Sequence, residues 1–245
     1  MDENREFYTL HLPHLFGYVV PVLNAKKGDA CPAIGSGVLV NVSGRHFVAT
    51  ARHCIKDDVR VGRSIAPLQR EGTIGMRPLH IIDRGWHDTL DLGYLEIQDP
   101  EVAELHWDQL CNDQIVSGLV HVVGYPEELV KLVETVPGKS VDVSLAAGIF
   151  STSLDKETDD RMTFGYPKIG MKYDEAKEIW SESAFPKTPK GFSGGACFGV
   201  AEPPGNITQV QYKLLAIQYA WNERDSVFAV PIKRWCELLT ERGLV

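Results

Sequence analysis

From Leu15 onward the chain alternates short apolar runs with turn-forming residues. Residues 15–23 (LFGYVVPVL), 37–42 (GVLVNV), 46–51 (HFVATA), 73–83 (TIGMRPLHIID) and 90–97 (LDLGYLEI) make up the first half. Bounded by turn signals and rich in Val, Ile, Tyr and Phe, they read as strands. Ser43-Gly44 predicts a hairpin between the second and third. A polar segment from Asp99 to Gln109 follows. The texture then repeats at 119–125, 141–153, 161–166, 196–200, 210–220 and 226–230. Many short strands at close spacing predict an all-β barrel or sandwich. Two such halves, with a seam near 100–115, predict two packed barrels.

Two segments break the pattern. DEAKEIW (174–180) is charged and short and reads as helical, a solvated surface turn rather than a functional lid. PIKRWCELLTERGLV at the C-terminus is a stronger helix. Pro231 suits its first turn, Ile232, Trp235, Leu238 and Leu239 form one apolar stripe, and Gly243 ends it. This helix is expected to dock on the second barrel. The expected organisation is an extension over 1–14, a first six-stranded barrel over 15–108, a second over 109–230, and the helix over 231–245.

Composition narrows the function. At 245 residues the chain is long enough for a sizeable core. A net charge of −8 argues against a nucleic-acid binder and an anionic membrane surface. No apolar run approaches the roughly 18–20 residues of a membrane span. The opening MDENREFYTLHLPHLF builds no basic-then-apolar signal, which points to a cytoplasmic protein. Cys31, Cys54, Cys111, Cys197 and Cys236 are odd in number, widely spaced and without C-x-x-C, as expected of reduced thiols. His11 and His14 could chelate a metal, but no Cys/His partner spacing supports it, so no metal or cofactor is expected.

Candidate chemistry centres on Gly191-Phe192-Ser193-Gly194-Gly195. Nearly free of Cβ atoms, it can form a tight turn with its N–H groups pointing inward, beside a serine hydroxyl. It equally suits a Gly-rich surface loop. A serine nucleophile needs a base, and the base an orienting acid. His53 follows a strand ending in small residues, at a strand-to-loop corner, and competes with His11, His14, His46, His80, His87, His106 and His121. Asp91 sits in the apolar stretch Leu90-Asp91-Leu92-Gly93-Tyr94, where burying a carboxylate requires a partner. Asp88 is the competing assignment.

Gly35-Ser36-Gly37-Val38, Thr50-Ala51-Arg52-His53-Cys54, Asp91-Leu92-Gly93-Tyr94-Leu95 and Gly191-Phe192-Ser193-Gly194-Gly195 together resemble the blocks of trypsin-like (chymotrypsin-fold) serine peptidases, in that family's His, Asp, Ser order. Ala229-Val230-Pro231 before a helix fits too, and Gly124-Tyr125-Pro126 is similar to its bacterial, non-secreted branches. The resemblance spans roughly 15–242 in outline. It implies two six-stranded β-barrels and a cleft between them. His53 is then the general base, Asp91 its orienting acid and Ser193 the nucleophile. Backbone N–H groups of Gly191 and Ser193 would form an oxyanion hole.

Phe192 stands where zymogen-activated members carry an acid that pairs with a new N-terminus, so no such activation is expected. Cys54 lacks the usual cysteine partner, whose place falls to Ile34. By the resemblance, the specificity pocket is walled by residues around Lys187 to Lys190 and by Gln218, Tyr219, Ala220 and Trp221. Lys187 at the pocket base would favour an acidic side chain before the scissile bond; it also reads as a solvated loop lysine. Trp221, in place of glycine, would narrow the entrance.

The leading function is a serine endopeptidase acting on protein or peptide substrates through an acyl-enzyme. Its expected restraint is narrow specificity or a regulatory protein partner. The alternative is a catalytically silent module of the same fold that binds proteins. An α/β-hydrolase esterase fits poorly, because the chain lacks alternating strands and helices.

Overall fold

A computed structural model of the chain describes residues 15–24, 33–70, 73–110, 119–127, 131–134, 141–144, 146–165, 169–174, 179–184, 190–201, 211–222 and 226–245. The 1–14 extension, Lys187, Cys31, Cys111, His11 and His14 lie outside these residues.

The first half contains β1 (Val19–Asn24), β2 (Ala33–Val42), β3 (Arg45–Thr50), a one-turn helix α1 (Arg52–Ile55), β4 (Val59–Arg70), β5 (Thr73–Leu79), β6 (Ile81–Trp86), β7 (Gly93–Ile97) and a short β8 (Leu105–His106). Strand order runs β5-β4-β1-β2-β3-β7-β6. Because β5 continues into β6 through His80, the sheet wraps back on itself, with β5 and β6 acting as one bent strand. Ser43 and Gly44, at φ 53 and 79, make the β2–β3 turn anticipated from the dipeptide.

The second half contains β9 (Leu119–Gly124), β10 (Lys131–Glu134), β11 (Val141–Ser144), β12 (Ala146–Glu157), β13 (Met162–Gly165), β14 (Ile169–Asp174), β15 (Ile179–Ala184), β16 (Ala196–Ala201), β17 (Gln211–Asn222), β18 (Ser226–Pro231) and helix α2 (Ile232–Glu241). The order β13-β18-β17-β16-β9-β12 closes when β12 pairs with β13, giving a six-stranded barrel. The β10–β11 hairpin pairs with β5 of the first sheet. The chain is thus all-β, two barrels with a C-terminal helix.

The uninterrupted apolar runs are explained by burial on both strand faces. In β2 and β3, Val38, Val40, Phe47 and Ala49 face a core shared between the barrels, while Leu39 and Val48 fill the first barrel. In β9, Val123 joins the shared core, while Val120 and Val122 join the second barrel's own cluster.

Three expectations need correction. The described ends of 174–180 are strand rather than helix: Asp174 ends β14 and Ile179-Trp180 begin β15, with Tyr173 paired to Trp180, while 175–178 lie outside the described residues. Six or seven helix-forming residues cannot nucleate an isolated helix, whereas aromatic and β-branched flanks favour a ladder. The run 141–153 is two strands in different sheets. Helix α2 does not dock on the second barrel alone. It packs beside β17 and β18, but Trp235 lies edge-on to Phe47 of β3 at 6.0 Å and donates its indole N–H to the Gly93 carbonyl at 3.2 Å. Arg45 of β3 reaches the Leu244 carbonyl at 2.8 Å.

Candidate active site

His53 projects from α1, which follows the small-residue end of β3. Cys54 and Ile55 are buried and anchor the turn, leaving the His53 side chain 44% exposed. Asp91 meets it from the turn before β7. The strand begins at Gly93, so Asp91 lies in a loop rather than within the apolar strand. Its Oδ2 is 2.6 Å from His53 Nδ1, and its Oδ1 accepts the His53 backbone N–H at 2.9 Å. Asp88 is exposed; its carbonyl, like that of His87, accepts from the Arg52 guanidinium, at 2.6 and 3.2 Å. His87 Nδ1 accepts the N–H groups of Thr89 and Leu90, at 3.2 and 3.1 Å. Arg52 and His87, neither given a role from the sequence, therefore shape the turn that presents Asp91.

The electrostatics follow from this pairing. The Asp91 hydrogen bond, reinforced by Cys54, pushes the His53 pKa well up against the opposing effect of burial. Burial alone would raise the Asp91 pKa, but hydrogen bonds and charge from His53, with the Arg52 charge, leave it lowered.

Ser193 lies in the turn Lys190 to Gly195. Gly191 and Gly194 adopt φ of 88 and 89, a region that glycine enters without penalty. Two peptide planes in this turn are pinned by their carbonyls. Lys190 O accepts the Glu127 N–H at 2.7 Å, and Phe192 O accepts the Gly195 N–H at 2.7 Å. In a trans peptide the N–H points opposite to the C=O. The N–H groups of Gly191 and Ser193 are thereby turned away from these contacts, and among the described residues neither has an acceptor. Two such donors, two residues apart in the turn, can hold an oxyanion.

The turn is fastened to both barrels. Ser193 O accepts the Ser36 N–H at 2.7 Å and lies 3.5 Å from Cys54 Sγ, next to His53. Gly194 N–H donates to Gln218 O at 2.6 Å, and Gln218 N–H to Gly195 O at 2.9 Å. Phe192, 1% exposed, is sunk among Val120, Val122, Met162 and Phe164 of the second barrel. The Ser193 hydroxyl donates to the Tyr219 carbonyl at 3.2 Å; among the described residues it makes no hydrogen bond to His53. Of the other expected site residues, Gln218 is buried with its amide on Ala220 O at 3.1 Å. Tyr219, Ala220 and Trp221 are half-buried along β17, and Lys190 is exposed.

Cys54 Sγ reaches the Ile34 carbonyl at 3.6 Å and also packs closely against Gly35. A Cβ on Gly35 would collide with Cys54 Sγ and come within 2.7 Å of Ser193 O. Among the described residues Cys54, Cys197 and Cys236 are free, buried thiols.

No family model and no curated protein matches the chain. Solved structures match it over nearly all its length. HBP, known at atomic resolution, is 13% identical with a TM-score of 0.55, covering 94% of this chain and 93% of that one. Neuropsin, a serine protease expressed in the limbic system of mouse brain, is 16% identical with a TM-score of 0.54, covering 94% and 96%. Kallikrein-related peptidase 10, in complex with Zn2+, is 14% identical with a TM-score of 0.50, covering 92% and 94%. At these identities the likeness is one of fold, and this chain has the two-barrel chymotrypsin fold.

Proposed function

We propose that the chain is a serine endopeptidase. The observation that carries this reading is the double contact of Asp91 with His53, at Nδ1 and at the backbone N–H, beside a serine turn with two amides that have no acceptor among the described residues. His53 takes the proton from Ser193 as the hydroxyl attacks the scissile carbonyl. Asp91 fixes the imidazole tautomer and stabilises the imidazolium. The N–H groups of Gly191 and Ser193 receive the developing oxyanion. His53 then protonates the leaving amine, and water resolves the acyl-enzyme by the same route. Lys187, Lys190, Gln218, Tyr219, Ala220 and Trp221 would line the substrate pocket. The free buried thiols of Cys54, Cys197 and Cys236 support a reducing, cytoplasmic setting. Such a protease needs narrow specificity or a regulatory protein partner.

A second reading, a silent protein-binding module, is favoured by one contact: the Ser193 hydroxyl rests on Tyr219 O. In the first reading, a rotation about χ1 brings Oγ to His53 when substrate binds. Fluorophosphonate labelling separates the two. The protease reading expects labelling at Ser193 that Ser193→Ala and His53→Ala abolish; an unlabelled, folded protein would establish the silent module.

A further inference from the structure

The Ser36 side chain is fully buried between the barrels, and its hydroxyl makes two contacts at once. It donates to Gly191 O at 2.7 Å and accepts the Tyr125 N–H at 2.8 Å. Its backbone is also engaged: the N–H holds Ser193 O, and the carbonyl accepts the Thr50 hydroxyl at 2.6 Å. One first-barrel residue therefore grips the serine turn at two carbonyls and the start of the 125–127 segment. That segment holds the turn from its other side, through Glu127 N–H on Lys190 O.

Resting on the proposed peptidase reading, we infer that Ser36 is a positioning residue whose hydroxyl locks the Gly191 pocket open before substrate arrives. The Gly191 N–H lies in the Lys190–Gly191 peptide plane, and the plane after it carries the Gly191 carbonyl and the Phe192 N–H. Glu127 N–H fixes the plane before it, and Ser36 Oγ fixes the plane after it. Glycine has low barriers to rotation, and without the second bond the Gly191–Phe192 peptide is free to turn over. The Tyr125 N–H would lose its bond to Ser36 Oγ in the same step, loosening the segment that supplies Glu127. A single hydroxyl thus holds the plane after Gly191 directly and, through the 125–127 segment, supports the plane that carries its N–H. The sink for Phe192 in the second-barrel cluster adds an apolar anchor next to it. No new N-terminus is required for this arrangement.

The test uses Ser36→Ala, which keeps the backbone N–H to Ser193 O and deletes only the hydroxyl. The probe is p-nitrophenyl acetate, whose acylation burst requires no knowledge of specificity. Loss of one oxyanion donor lowers kcat by about 10²–10³-fold, so a misdirected Gly191 N–H should reduce the burst rate by roughly 10-fold or more. KM should change little, and the pH profile should keep its shape because His53 and Asp91 are untouched. Ser36→Cys, a weak donor of similar volume, should retain an intermediate rate and covers the case in which Ser36→Ala fails to fold. Amide spectra of the resting protein give a readout independent of catalysis: the Gly191, Phe192 and Ser193 signals should be single in the wild type and shifted or multiple in a variant lacking the hydroxyl. A burst within twofold of wild type, or loop amides unmoved by the substitution, overturns the role of Ser36. A wild-type protein with no Ser193-dependent burst overturns the peptidase reading instead, and the amide spectra still decide the lock.

Discussion

Asp91 holds His53 by two hydrogen bonds from one carboxylate, 2.6 Å to Nδ1 and 2.9 Å to the backbone N–H. The second bond fixes where the carboxylate sits, and the first fixes which ring nitrogen carries the proton. This leaves Nε2 as the basic nitrogen. Asp91→Asn keeps the shape but can present an N–H to Nδ1 and so favour the wrong tautomer. The expected result is a fall in kcat of about 10⁴-fold with the fold intact, read from steady-state hydrolysis and a thermal melt.

The same pair sets a pH dependence. The His53 pKa is pushed up to about 10, first by the Asp91 hydrogen bond. A folded pKa above the unfolded value stabilises the protein fully below the unfolded pKa of about 6.5, and the effect is lost as pH rises through the folded value. The stability gap between wild type and His53→Ala should therefore be constant below about pH 6 and close on the alkaline side. Activity runs the other way, since the base must be neutral. Its rising limb should lie above pH 6.5 and move down toward that value in Asp91→Asn. Denaturation midpoints and kcat/KM across pH 5 to pH 10 check both; a gap that widens with pH would contradict the pairing.

Phe192 holds the serine turn by packing. Buried among Val120, Val122, Met162 and Phe164, it ties the serine turn to the second-barrel core. Phe192→Ala should cost about 3–5 kcal/mol of stability and loosen the turn, so kcat/KM falls as well. Phe192→Asp puts a carboxylate into this apolar cluster and should destabilise more strongly still. Urea denaturation gives the first effect, and burst amplitude the second. Cleavage that exposes a new N-terminus near residue 15 should leave activity unchanged.

How much of this was legible in the sequence depended on whether a feature is local. The strands buried on both faces, such as β2 and β3, stood out as continuous apolar runs. β4, with the sequence VRVGRSIAPLQR, carries no such run and exists through its ladders to β1 and β5. The pairing of β14 with β15 was obscured by the charged run between Asp174 and Ile179, which read as helical although both flanks pair as strands. His53, Asp91 and Ser193 were visible as motif members, each embedded in a local block. The Ser36 hydroxyl was not, because its acceptor on Gly191 is 155 positions away. The close approach of Gly35 to both Cys54 Sγ and Ser193 O was likewise a matter of fold geometry.

Gly35 offers a sharper test of how the two halves of the site meet. A Cβ there would press on Cys54 Sγ and on Ser193 O at once. Gly35→Ala should therefore push the His53 turn away from the serine turn, costing about 1–3 kcal/mol and a larger fraction of the activity. Cys54→Ala removes the sulfur clash but not the one with the backbone carbonyl. The double variant should recover part of the stability of Gly35→Ala, with a coupling of about 0.5–3 kcal/mol. A double-mutant cycle measured by denaturation shows this; strictly additive losses would mean that residues 35 and 54 do not meet.

Trp235 extends the same logic to the C-terminal helix. The indole is fully buried, lies edge-on to Phe47 at 6.0 Å and donates to Gly93 O at 3.2 Å. Gly93 follows Asp91 by two residues, so this hydrogen bond steadies the chain just beyond the acid of the site. Trp235→Phe retains most of the apolar contact but leaves the Gly93 carbonyl without the indole, at a cost of about 1–3 kcal/mol. Trp235→Ala also opens a cavity, for a total of about 3–5 kcal/mol. If the helix merely covered the barrels, both variants would lose stability with kcat unchanged. The bond to Gly93 predicts otherwise: kcat should already fall in Trp235→Phe, at temperatures where that variant is fully folded, with KM little affected.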